Sequence, residues 1–240
     1  MSDLLRVALV VEGPTDYVVL RAAMGAILGD RDYEATVLWP ELSNGLETVT
    51  GGGWTAVYLW CRLAVKQAEG PVRDHPLFGT YDVLVVQVDA DVAEKRYTDD
   101  SRIQAPPNDL PCEQPCPPPT ATTDALRNVV VRWLDEKVLP PHTVLCTPSK
   151  SIETWVLAAL FPNDTSATTS ELECRPNIDA QLQSKPLGRR LIRGGQKQIK
   201  KYRESEGELR HAWVNVRAEC SEADRFSREF LAALPGADTM

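Results

Sequence analysis

The sequence predicts an α/β fold built on a mostly parallel, four-stranded sheet flanked by helices. Three observations carry that prediction. Runs such as VALVV (7–11) and DVLVVQV (82–88) are dense in Val and Leu, with little polar alternation, as in strands covered on both faces. Each run is followed by apolar residues at helical spacing, so strand and helix alternate about four times. Charged residues stand just beyond three of the runs, at the carboxyl ends where parallel sheets build their sites.

The first strand is expected at 5–11 (LRVALVV) and a helix at 14–28, with Pro14 in its first turn. Residues 34–39 (EATVLW) make a second strand, and 42–53 a loop ending in Gly51-Gly52-Gly53. That triple glycine lacks the Gly-Lys-Ser/Thr ending of a phosphate loop and reads as a turn. A helix follows at 54–69 and the third strand at 81–88, which runs into Asp89-Ala90-Asp91. Residues 99–123 hold seven of the 18 prolines and read as an irregular insertion. A helix at 124–137, a strand at 142–147 and a helix at 151–160 complete the repeat. Residues 163–184 read as a polar linker, followed by a basic segment and a helix at 221–234. The chain thus divides into 1–162, the α/β domain with its insertion, and 163–240, a linker with a basic, partly helical extension.

The 240 residues carry 43% hydrophobic and 25% charged side chains, ordinary for a globular protein. No apolar run is long enough to cross a bilayer, and no secretory leader pattern opens the sequence. The six cysteines are too dispersed for a disulfide framework, and a cytoplasmic location is expected. Cys112 and Cys116 in CEQPC have no second pair nearby, so a zinc site with Cys174 is set aside. The three histidines show no mutual spacing that suggests metal binding or catalysis.

Net charge is -8, unevenly spread. From Lys185 to Arg203 there are eight Lys or Arg residues and no acid, leaving 18 bases against 34 acids elsewhere. Such a stripe is either a solvated face or a contact for phosphates. In the second case Arg189, Arg190, Arg193, Lys197, Lys200 and Lys201 are the candidates, with Tyr202 and Trp213 as stacking residues or core.

Glu12 and Asp16 straddle the start of the first helix, four residues apart and so on one face. Asp89 and Asp91, two apart in an extended run, project the same way. If the first and third strands are neighbours, four carboxylates converge, and a divalent cation relieves their repulsion. Oxygen-only ligands favour Mg²⁺ or Mn²⁺. Glu153 is placed for a second ion, and Lys150 for a phosphate and its developing charge. Each piece alone has a plainer account: helix-dipole acids, a solvated loop, a surface ion pair. Their coincidence at three strand ends favours a site.

Together VALVVEGPTDYVVL, DVLVVQVDAD and SKSIETWVLAAL resemble a Toprim domain, over roughly residues 5–160. The third piece is similar to that of nucleases of the overcoming-lysogenization-defect class, and of small stand-alone Toprim-like proteins of bacterial anti-phage defence loci. GGGWTAVYLWC (51–61) fits that group too. The resemblance implies a Mg²⁺- or Mn²⁺-dependent nuclease with two ions, cutting DNA or RNA beside an ABC-type or AAA ATPase subunit. Glu12 would be catalytic and a metal ligand, with Lys150 catalytic and Asp16, Asp89, Asp91 and Glu153 on metal. No tyrosine is placed for a topoisomerase reaction. The insertion departs from the pattern, because a helix usually follows the Asp-x-Asp motif quickly. Two alternatives stand beside this reading: a non-catalytic regulatory subunit of an ATPase, and a phosphatase for small substrates. No membrane association is expected, and homo-oligomerisation is left open.

Overall fold

The computed structural model describes residues 4–41, 51–164 and 169–236. Most of the loop expected at 42–53, and 165–168 of the expected linker, lie outside the described residues. Four strands, β1 (Leu5–Val10), β2 (Tyr33–Trp39), β3 (Val83–Gln87) and β4 (Thr143–Cys146), form an all-parallel sheet in the order β2-β1-β3-β4. The first and third strands are neighbours.

Alternation along the strands is between two buried faces rather than between core and water. Val7, Leu9, Val83, Val85 and Val144 pack into one core with α1 (Pro14–Leu28), α4 (Glu153–Leu160), α6 (Ile199–Glu219) and α7 (Ser221–Ala232). Ala8, Val10, Leu84, Val86 and Leu145 pack into the other with α2 (Trp54–Gln67) and α3 (Pro119–Trp133). Unbroken Val/Leu runs are what such double coverage requires.

The boundaries of α3 differ from the expected 124–137. The helix starts inside the proline-rich stretch, with Pro119 in its first turn, where a missing N–H costs nothing. It ends before Asp135, whose φ of 56° lies in the left-handed region. The helix α6 was not expected. Only Tyr202, Leu209, Trp213 and Val216 of its 21 residues are buried, a stripe too narrow to stand out in a polar sequence. It packs on α1 and α4, so the basic segment leads into the main core. Before it come the short α5 (Ile178–Gln183) and a hairpin of β5 (Ile192–Arg193) and β6 (Gln196–Lys197). Gly194 and Gly195 make its turn, with φ of 57° and 76°, the geometry that favours Gly-Gly in two-residue hairpins.

The cysteine reading needs correcting. Cys116 and Cys174 form a disulfide with Cα atoms 5.6 Å apart, which ties the insertion to the segment before α5. The pairing joins residues 58 apart in sequence, a proximity created by tertiary folding and invisible in local spacing. Cys61, Cys146 and Cys220 are buried free thiols, and Cys112 is a half-buried one.

Candidate functional site

Register brings the strand ends level: Val10 lies opposite Val86, and Gln87 opposite Cys146. The chains beyond β3 and β4 continue side by side. The N–H groups of Val88, Ala90 and Asp91 donate to the carbonyls of Cys146, Pro148 and Lys150 at 3.0, 2.9 and 3.0 Å. Glu12, Asp89 and Glu153 are thereby held at one edge of the sheet.

Glu12 is fixed at three points. Its N–H donates to Gln87 Oε1 (3.0 Å), its carbonyl accepts the Gly53 N–H (2.7 Å), and its Oε1 accepts the Asp89 N–H (2.7 Å). Gln87 Nε2 donates to Asp89 Oδ1 (2.9 Å), which also accepts the Ile152 N–H (3.1 Å) before α4. Gln87 is fully buried and stitches the two motifs together. Its one sequence signal was a polar residue inside an apolar strand.

Asp16 sits in the first turn of α1, 3% exposed, and its Oδ1 is buried with no hydrogen-bond partner. A Cβ on Gly13 would lie 3.1 Å from Asp16 Oδ2, a contact tight enough that the carboxylate would have to shift. Glu153 is completely buried. Its Oε1 accepts from Tyr202 Oη (3.0 Å) and meets Lys197 Nζ at 2.7 Å, while its Oε2 has no partner.

Lys197 is the cation of this cluster. The Gly-Gly hairpin swings it out of the basic stripe and in among the acids; its side chain is still 32% exposed. Burial alone would lower its ammonium, but the fields of Asp16, Glu153 and Asp89 outweigh that and hold it above the ordinary lysine value. The acids respond in the opposite sense. Burial, then the charges of Asp16 and Asp91, push Glu12 up to about 8 against the pull of the Asp89 N–H and Lys197. By residue area Glu12 is only half-buried, so water tempers this shift. Asp16 rises to about 6, chiefly through burial and with Glu153 adding, opposed by Lys197. Asp89 is raised well above the usual range by burial and by Glu12 and Asp16.

Asp91 stands at the mouth, half-exposed, paired with Lys95 at 3.1 Å. Asp179 of α5, absent from the sequence reading, lines the same opening; burial and the charges of Glu153 and Asp91 raise its pKa. Two cavities, of about 750 and 500 Å³, open on the cluster, and Glu12, Asp89 and Lys197 line both.

Other candidates are placed differently. Lys150 lines the smaller cavity, but its Nζ pairs with Glu94 (2.8 Å) and with Glu113 of the insertion (3.0 Å). Arg189 pairs with Glu208 (2.5 Å) and Lys201 with Glu204 (2.7 Å); Arg190 Nε donates to the Lys185 carbonyl (3.0 Å). Arg193 and Lys200 are exposed. Tyr202 and Trp213 are core residues, not stacking platforms: Trp213 Nε1 donates to Ser227 Oγ at 3.0 Å.

Among the described residues, no group of three or more His, Cys, Asp or Glu side chains stands arranged to hold a metal ion. The donor chemistry nonetheless suits a hard cation, since the cluster is all oxygen. Two of its buried carboxylate oxygens, on Asp16 and Glu153, lack partners. Lys197 supplies positive charge there, and a divalent ion would satisfy what one ammonium leaves open.

The chain matches no protein-family model, no characterised protein and no solved structure.

Proposed function

We propose that the chain is a Toprim-like nuclease that uses Mg²⁺ or Mn²⁺ to cleave phosphodiesters of DNA or RNA. In this reading it is the effector of a bacterial anti-phage defence system, working with an ATPase subunit. One observation carries the proposal: acids from three strand ends meet around Lys197, with the Asp16 and Glu153 oxygens unpartnered. Glu12, Asp16 and Asp89 would hold a first ion, with Asp91 and Glu153 toward a second. A bound ion would supply Lewis-acid polarisation of a phosphoryl oxygen. Without an ion Glu12 keeps its proton near neutral pH, its pKa raised to about 8, and its carboxylate would give up that proton to hold the ion. Lys197 is better placed than Lys150 to meet a phosphate among the acids: the charges that act on it are those of Asp16, Glu153 and Asp89, whereas Lys150 faces Glu94 and Glu113 at the rim. Arg193 and Lys200 add exposed positive charge beside it.

A second reading draws on the same Lys197. Because it already offsets the acids, the cluster also suits a non-catalytic subunit that regulates an ATPase. Incubation with plasmid DNA, RNA and p-nitrophenyl phosphate in Mg²⁺ or Mn²⁺, with and without any ATPase encoded beside it, separates the readings. Cleavage of polymer, lost in Glu12→Ala and Asp89→Ala, supports the nuclease. Turnover of the small ester alone supports a phosphatase, and no turnover under any condition supports the regulatory subunit.

A further inference from the structure

On the α2–α3 side of the sheet, a cavity of about 590 Å³ shares no lining residue with the acid cluster. Beneath it Tyr58 and Trp133, 6% and 1% exposed, pack edge to face with centroids 5.3 Å apart. Its wall is the insertion from Ile103 to Pro107. Within that wall Ala105 has φ of 49°, a left-handed conformation costing an alanine roughly 1 kcal/mol. Strain of this kind persists where neighbours over-determine a conformation, and it concentrates at ligand sites.

The insertion is anchored through Asp109. Its Oδ1 accepts from Tyr97 Oη (2.7 Å) and its Oδ2 from Arg132 Nε (2.8 Å), while Trp133 Nε1 donates to Tyr97 Oη (2.7 Å). Three guanidiniums, Arg62, Arg102 and Arg132, line the cavity against the single carboxylate of Asp109. Arg102 is engaged by Asp100 and Thr55. Arg132 spends only Nε on Asp109, and Arg62 makes one bond, from Nη1 to the Trp133 carbonyl at 3.3 Å. Two guanidinium groups therefore retain donors at a hollow walled by the insertion's prolines, in a chain of net charge -8. Bidentate capture of a phosphate is the recognition such donors favour.

We propose that this cavity binds a nucleoside monophosphate, its phosphate on Arg62 and Arg132 and its base against the prolines at 106–107. The proposal is independent of the nuclease reading. The same chemistry is offered by a free nucleotide and by the 5′-phosphorylated end of a strand. The full chain is titrated with AMP, GMP, CMP and UMP, and with a tetranucleotide with and without a 5′-phosphate. Binding is followed by calorimetry and tryptophan fluorescence. Saturable binding is expected, weakened about tenfold or more in Arg62→Ala and in Arg132→Ala, as loss of a charge-assisted contact implies. It should be retained in Glu12→Gln, and melting curves check that each variant is folded. Preference for the free monophosphate assigns a nucleotide site, and preference for the phosphorylated tetranucleotide a strand-end site. Absence of binding by every probe overturns the proposal. So does binding that survives both arginine substitutions, or that is lost in Glu12→Gln.

Discussion

Gln87 holds the Glu12 N–H and Asp89 Oδ1 at once from a fully buried position. Gln87→Leu leaves a donor of Glu12 without its partner and removes a donor from Asp89, so it should destabilise the fold by about 2 kcal/mol. Denaturant unfolding measures that loss. Lys197→Ala strips the cluster of its internal cation, and cleavage should fall at least tenfold, the smallest effect expected if Lys197 meets the phosphate in the transition state. Lys150→Ala, at a residue that faces Glu94 and Glu113 rather than the acid cluster, should change cleavage far less, and single-turnover rates on one oligonucleotide compare the two. Glu12 and Asp89 were legible as candidates because each stands two residues past a strand, and Glu153 because it opens the helix after the fourth strand, where local pattern and parallel topology suffice. Lys197 was legible only as one of eight basic residues. Its neighbours in space come from α1, α4 and the turn after β3, and no local spacing records that a hairpin returns it to them.

That hairpin is the element on which the site depends. Gly194 and Gly195 both sit at positive φ, and a Cβ on either meets nothing within 4 Å. The cost of alanine there is conformational rather than steric, roughly 1 kcal/mol at each position. The double substitution should loosen the hairpin and lower activity while the α/β core stays folded, which circular dichroism alongside the cleavage assay would show. The Cys116–Cys174 link closes a loop of 58 residues, and chain-entropy reasoning assigns it up to about 4 kcal/mol. Cys116→Ser, or reduction of wild type, should lower the denaturant midpoint accordingly; equal midpoints with and without reductant would deny the link a stabilising role. The four parallel strands and α1 declared themselves through apolar density and the Pro14 start. The helix α6 did not, because its buried stripe is Tyr202, Leu209, Trp213 and Val216 amid polar residues. The start of α3 was hidden by prolines, which suit a first helical turn as well as an irregular loop.

Across the whole molecule, the acid cluster links stability to pH. The folded pKa values of Glu12 and Asp16, about 8 and 6, lie above the ordinary 4.5 and 3.8. Between about pH 4 and pH 8 the folded state therefore binds more protons than the unfolded one, and this cluster's contribution to stability declines as pH rises. Without divalent ions, the melting temperature should be lower at pH 8.5 than at pH 5.5. A cation that binds only the folded cluster should recover more of it at the higher pH, where it no longer competes with protons. The most direct measurement is calorimetric titration of the purified chain with Mn²⁺ at pH 7, in buffers of different ionisation enthalpy. Binding accompanied by proton release, and abolished in Asp89→Asn, is the result predicted for a carboxylate cluster held partly protonated in the absence of its ion. Absence of binding, or binding that Asp89→Asn leaves unchanged, would contradict the assignment of these carboxylates as a cation site.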